Sequence, residues 1–138
     1  MQQEKDYLQR EIERMTLFLK TLLRRVAGLN DENFRPEYDQ LEKELKEELN
    51  FSLNDLYILD QETFEEKLKE LHLSHIEKLV ELVCEVLKRD RAFRLSQKNK
   101  IAANTIVMLD YIDKKSSTYS LTRQHLRTSL SKHLTSNI

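Results

Sequence analysis

Between Asp6 and Leu29 the apolar residues fall at Leu8, Ile12, Met15, Leu19, Leu22, Val26 and Leu29, alternately four and three apart. That alternation keeps one stripe of a helix turned toward a partner. Phe18 and Leu23 widen the stripe on either side. Gly28 follows the last turn, where a left-handed residue without a Cβ is easiest to place. A helix of about 25 residues is about 37 Å long, and a compact domain of this chain length has a radius of gyration of about 14 Å. Helix 1 is therefore expected to span the molecule as a spine, with later helices packed along it.

The rest of the chain keeps the helical period. After the polar loop Asn30-Asp31-Glu32-Asn33, Pro36 suits a first turn, where a missing N–H costs nothing. Tyr38, Leu41, Leu45 and Leu49 form the apolar face of that helix, and Asn50 closes it. Ser52 and Asp55 suggest a weak cap for a short third helix through Leu53, Leu56 and Leu59. Asp60 caps a fourth helix carrying Phe64, Leu68 and Leu71. These short acidic elements are expected to lie across helix 1. Ser74-His75-Ile76-Glu77 has the form of a capping box, so a fresh helix is preferred there over a kink within 60–89. Its face is Ile76, Leu79, Val80, Val83 and Leu87.

In the basic connector from Asp90 to Ser96, Phe93 and Leu95 are expected to tuck into the core. A sixth helix from about Gln97 to Asp113 turns Ile101, Thr105, Met108, Leu109 and Ile112 inward, while Ala102 and Ala103 permit close approach. Lys114 to Thr118 reads as a turn, Ser120 as the cap of a last helix, and Leu126, Leu130 and Leu134 as its inner face. Ser136-Asn137-Ile138 should fray. The expected fold is all-α, a single domain over 1–138 with six or seven helices. Its halves are 1–73, spine plus short acidic helices, and 74–138, basic helical hairpins. Short turns make the hairpin helices antiparallel, as in a solenoid, and the shape loosely resembles a tetratricopeptide pair without that repeat's register.

Composition supports this picture. One Gly and one Pro leave little turn chemistry for β-hairpins. Cys84 is the only cysteine, so no internal disulfide forms, and a reducing, cytoplasmic location is expected. The start of the chain is too polar for a signal peptide, and no apolar run suggests a membrane span. The net charge of −1 conceals a polarity. Residues 1–87 carry 12 Lys+Arg against 21 Asp+Glu (−9), and residues 88–138 carry 11 against 3 (+8). The two fields attract each other within the fold or between subunits, or the basic one meets an acidic partner.

The opening Asp6-Tyr7-Leu8-Gln9-Arg10-Glu11-Ile12, with Leu17-Phe18-Leu19 and Leu22-Leu23, resembles the start of an uncharacterised bacterial helical family. Leu109-Asp110-Tyr111-Ile112 and Tyr119-Ser120-Leu121-Thr122-Arg123-Gln124 resemble its end. The family is a domain of unknown function, so the resemblance implies a small helical protein and supplies neither activity nor site.

Candidate chemistry is sparse. His72 and His75 could reach one metal ion, but no further ligand stands at helical spacing, so no metal is expected. His125 and His133 have no cluster around them. Cys84 sits beside Val83 on an apolar helix and reads as a buried, inert thiol. A phosphate loop would need glycines, and the single glycine is a helix stop. No enzyme activity and no cofactor are expected. Arg10, Arg14, Lys20, Arg24 and Arg25 flank an exposed Leu17, a face suited to solvent, a second copy or anionic lipid, although Glu11 and Glu13 weaken the last. Lys98, Lys100, Lys114, Lys115, Arg123, Arg127 and Lys132 could neutralise phosphates, but stacking aromatics are few. The leading expectation is a protein-interaction or scaffolding module that forms a homo-oligomer. Its partner surface would draw on Arg10, Arg14, Leu17, Arg24, Arg25, Lys114, Lys115, Arg123 and Arg127. The alternative is a nucleic-acid-binding or regulatory protein using the basic face.

Overall fold

The computed structural model describes residues 2–90 and 97–135. The expectations for Phe93, Leu95 and 136–138 lie outside the described residues. Among the described residues seven helices follow one another: α1 Gln2–Ala27, α2 Phe34–Leu49, α3 Asp55–Ile58, α4 Gln61–Lys69, α5 Leu73–Arg89, α6 Lys98–Ser116 and α7 Leu121–Thr135. The described residues contain no strand, and the fold is an all-α bundle.

Helix α1 is the longest at 26 residues, and Met15, Leu19, Leu22 and Val26 on it are buried. Its stripe packs along α5, which also meets α6 and α7. Helix α5 is apolar around most of its circumference, burying Ile76, Leu79, Val80, Leu82, Val83, Val86 and Leu87. A helix with that distribution must be covered on several sides, which gives α5 the central position. Helices α1 and α5 run parallel. His75 near the start of α5 bonds to the Ile12 carbonyl, while Arg89 at its end shares a recess with Leu29, Asn30 and Asp31. Helix α6 returns antiparallel to α5, and α7 antiparallel to α6, as the short connections require.

Several local expectations hold, each for a visible reason. The Asp60 carboxylate accepts the Thr63 N–H at 2.8 Å, and the Ser120 hydroxyl accepts that of Arg123 at 3.2 Å. Asn50 ends α2 in the left-handed region at φ 54°. The expected Ser52 cap holds only in part: Asp55 accepts the Ser52 N–H at 3.0 Å, but α3 is entered through Asn54 with no side-chain bond to its N–H groups.

Other expectations are corrected. Leu8 lies on the stripe but is 60% exposed, because α1 continues beyond the start of α5. Gly28 keeps a negative φ, since i→i−3 bonds from Gly28 to Arg25 and from Leu29 to Val26 tighten the end of α1. The cap of α5 is His72 rather than Ser74: its Nδ1 accepts the Ser74 N–H at 3.2 Å, and Glu77 turns away to Arg123. Lys114 and Lys115 belong to the last turn of α6 rather than to a loop. Leu134 is exposed, as is Ala103, while Ala102 is buried. The acidic helices do not simply lie on α1. Helix α2 is tied to it by Arg25–Glu44 at 2.8 Å and Arg14–Glu48 at 3.2 Å, whereas α3 packs on α6, where Asn104 donates to the Leu56 carbonyl.

Candidate interaction surface

Most titratable groups that could have carried chemistry are committed to the architecture. Glu42 is buried, and its two oxygens accept the N–H groups of Leu53 at 2.7 Å and Asn54 at 3.0 Å. Burial raises its pKa despite those donors. Sequence reasoning missed this role, although Glu42 stands four residues after Tyr38 and three before Leu45, beside the apolar face. Cys84 is half-buried, and burial, with Glu85 and Glu81 nearby, pushes its thiol up to about 12.

The His72 and His75 rings lie 5.4 Å apart, but each already has work within the fold. His72 caps α5, and His75 places Nε2 3.0 Å from the Ile12 carbonyl, joining α5 to α1. A donor is needed at that atom, so the neutral ring suffices. Burial lowers the His75 pKa, against the bond to Ile12, which favours the charged form. A depressed pKa in the folded chain means that protonation favours unfolding. Stability should therefore be full above the ordinary histidine value of about 6.5 and decline as the pH falls below it. His133, lowered by burial and by Lys98 and Lys132, adds a decline of the same sign. Thermal melts across this range should show the slope, and His75→Gln should flatten it in part; an unchanged slope would refute the assignment. Among the described residues, no group of three or more His, Cys, Asp or Glu could hold a metal ion.

The structure separates the basic residues of the expected partner surface into two sets. Arg123 is buried, with Nε 2.6 Å from Asp113, one terminal nitrogen 3.1 Å from Glu77 and the other 2.6 Å from the Thr118 carbonyl. Burial opposes its charge, yet Asp113 and Glu77 hold its pKa above the ordinary value. Arg127 bonds Asp110 at 2.7 Å and Asp113 at 2.9 Å. These two arginines join α7 to α6, and Arg123 also to α5; of their ion pairs only Arg123–Glu77 links the basic half to the acidic one. Arg14 pairs with Glu11 and Glu48, and Arg25 with Glu44. Arg10 bonds the Asp6 carbonyl at 3.4 Å, and Arg24 is exposed. Leu17 is 61% exposed, as expected, and Lys114 and Lys115 are exposed.

One end of the bundle concentrates exposed apolar residues. Because α1, α5 and α7 start there and α6 finishes there, it gathers Tyr7, Leu8, Tyr119 and Leu121. All four are at least 60% exposed, Tyr119 reaching 78%. Residues 3–10 of α1 are exposed throughout. With Ile12 level with His75 in the first turn of α5, the ten preceding residues of α1 extend about 15 Å past it. At the same end a groove of about 320 Å³ opens between α4 and α6. Leu68, Val107 and Tyr111 line it, with Glu65, Lys69, Asp110, Lys114 and Lys115 around them. Lys115 Nζ stands 5.8 Å from the centre of the Tyr111 ring. The four exposed residues come from two distant stretches of the chain, so spacing could not have grouped them.

No family model matches the chain, and no curated protein or solved structure matches it. The geometry of this bundle end is thus the basis for a functional reading. Among the described residues, no helix is long and apolar enough to cross a membrane.

Proposed function

We propose that this chain is a non-enzymatic protein-interaction module that self-associates through the end of the bundle where α1 overhangs. The observation that carries the reading is the fate of the α1 stripe. It is covered by α5 from Met15 onward, yet continues outward to a 60% exposed Leu8 beside a 63% exposed Tyr7. Large apolar side chains gathered at one place mark a contact surface more often than chance exposure does. The structural employment of Glu42, His72, His75 and Arg123 supports a binding role over a chemical one.

Sedimentation velocity at physiological salt should show a dimer or larger species across the micromolar range. Leu8→Glu should shift it to monomer while leaving the helical circular dichroism unchanged, because Leu8 is 60% exposed within the chain. A strict monomer at high micromolar concentration would overturn the reading.

A further inference from the structure

The exposed part of α1 is not uniformly polar. Glu4, Tyr7, Leu8 and Glu11 follow at spacings of three, one and three, so they share one face, with the apolar pair set between two carboxylates, of which Glu11 also pairs with Arg14 at 3.2 Å. Gln3, Glu4, Tyr7 and Leu8 form a shallow concavity on this helix surface. Lys5, Asp6 and Arg10 lie on the other sides of the helix.

The groove between α4 and α6 has the complementary arrangement. Its floor is apolar, from Leu68, Val107 and the Tyr111 ring. Of the charged groups around it, Lys69 is matched by Glu66 at 3.4 Å and Asp110 by Arg127 at 2.7 Å, while the Glu65 carboxylate accepts from the Gln61 side chain at 3.0 Å and leaves the two remaining lysines in excess. Lys114 and Lys115 project beside the floor from the end of α6, so the mouth of the groove favours an apolar segment flanked by carboxylates. The chain does not fill the groove with its own α1, which packs along α5, while the lining comes from α4 and α6.

We infer that the Glu4–Tyr7–Leu8–Glu11 face of one copy docks into the α4/α6 groove of a second copy, and the reverse, as a two-fold dimer. This deepens the proposed self-association and rests on it. Projection and groove lie at the same end of the bundle, so one two-fold axis there satisfies both contacts and closes the assembly. Tyr7 and Leu8 enter the apolar floor, while Glu4 and Glu11 face Lys114 and Lys115. Two such small contacts fall at the low end of specific interfaces, which suits a dissociation constant of micromolar order.

Charge exchange between two variants of the full chain tests the pairing. Lys114→Glu with Lys115→Glu, and separately Glu4→Lys with Glu11→Lys, each place like charges at both contacts of a homodimer. Each should weaken dimerisation at least about tenfold by sedimentation equilibrium. In a one-to-one mixture of the two variants, one contact is native and the other has both signs reversed. The mixed dimer should thus recover near wild-type affinity, which a folding defect in either variant would not permit. If a wild-type dimer forms but either variant dimerises normally, or the mixture is no tighter than its components, the pairing is wrong and self-association uses another surface. If the wild-type chain stays monomeric, both the pairing and the broader reading fail.

Discussion

Leu79→Ala is expected to lower the free energy of unfolding by about 3–4 kcal/mol, measured by urea denaturation of the monomer. Leu79 is fully buried on α5, the helix that meets α1, α6 and α7 at once. Removing its branched end leaves a cavity with walls from several helices, and such walls cannot all collapse without breaking contacts elsewhere. Leu8→Ala is the natural control. It too removes a leucine from an apolar stripe, yet at 60% exposure it should change monomer stability by less than about 0.5 kcal/mol. Equal effects at the two positions would mean that α5 does not hold the centre of the bundle.

The second large effect is expected at Arg123. Arg123→Met should destabilise the fold by about 2–3 kcal/mol, a drop of about 6–10 °C in melting temperature for a domain of this size. Methionine fills the space but strands the Thr118 carbonyl and leaves Glu77 and Asp113 without their shared cation. The loss stays below that of a fully buried ion pair because the Asp113 side chain is 42% exposed and water can reach it. Arg123→Lys should recover only part of the stability, since an ammonium cannot reproduce the fork toward three partners. Combining Arg123→Met with Glu77→Gln and Asp113→Asn should recover more than either carboxylate change alone, because the unpaired charges are then gone. A melting temperature unchanged in Arg123→Met would refute the bridge between α5, α6 and α7.

Local chemistry was the most legible part of this chain. Asp60 and Ser120 cap the helices they were expected to cap, because a side-chain oxygen near exposed N–H groups needs only neighbours a few residues away. The inner face of α6, from Ile101 to Ile112, is buried as its spacing requires. The cap of α5 was harder. Ser74 with Glu77 has the right pattern, but Arg123, 46 residues later, claims the glutamate, and the His72 ring takes the capping position. Nothing within one turn of Ser74 announces that competition.

The candidate surface was legible only in fragments. Leu17, Lys114 and Lys115 could be placed outside from the sequence, but periodicity put Leu8 on the buried stripe and gave Tyr7 no surface role. Arg123 and Arg127 counted toward an open basic face until their carboxylate partners came into view.

What the order of residues settled unaided was the type of the elements, their number to within one, most of their limits and which side of most turns inward, since helical period and capping act over three or four residues. Tertiary structure alone decided how far α1 is covered, which helix takes the middle, and which charges cancel. Those outcomes depend on contacts between segments tens of residues apart, where a charge or an apolar stripe acquires meaning only from what lies opposite it.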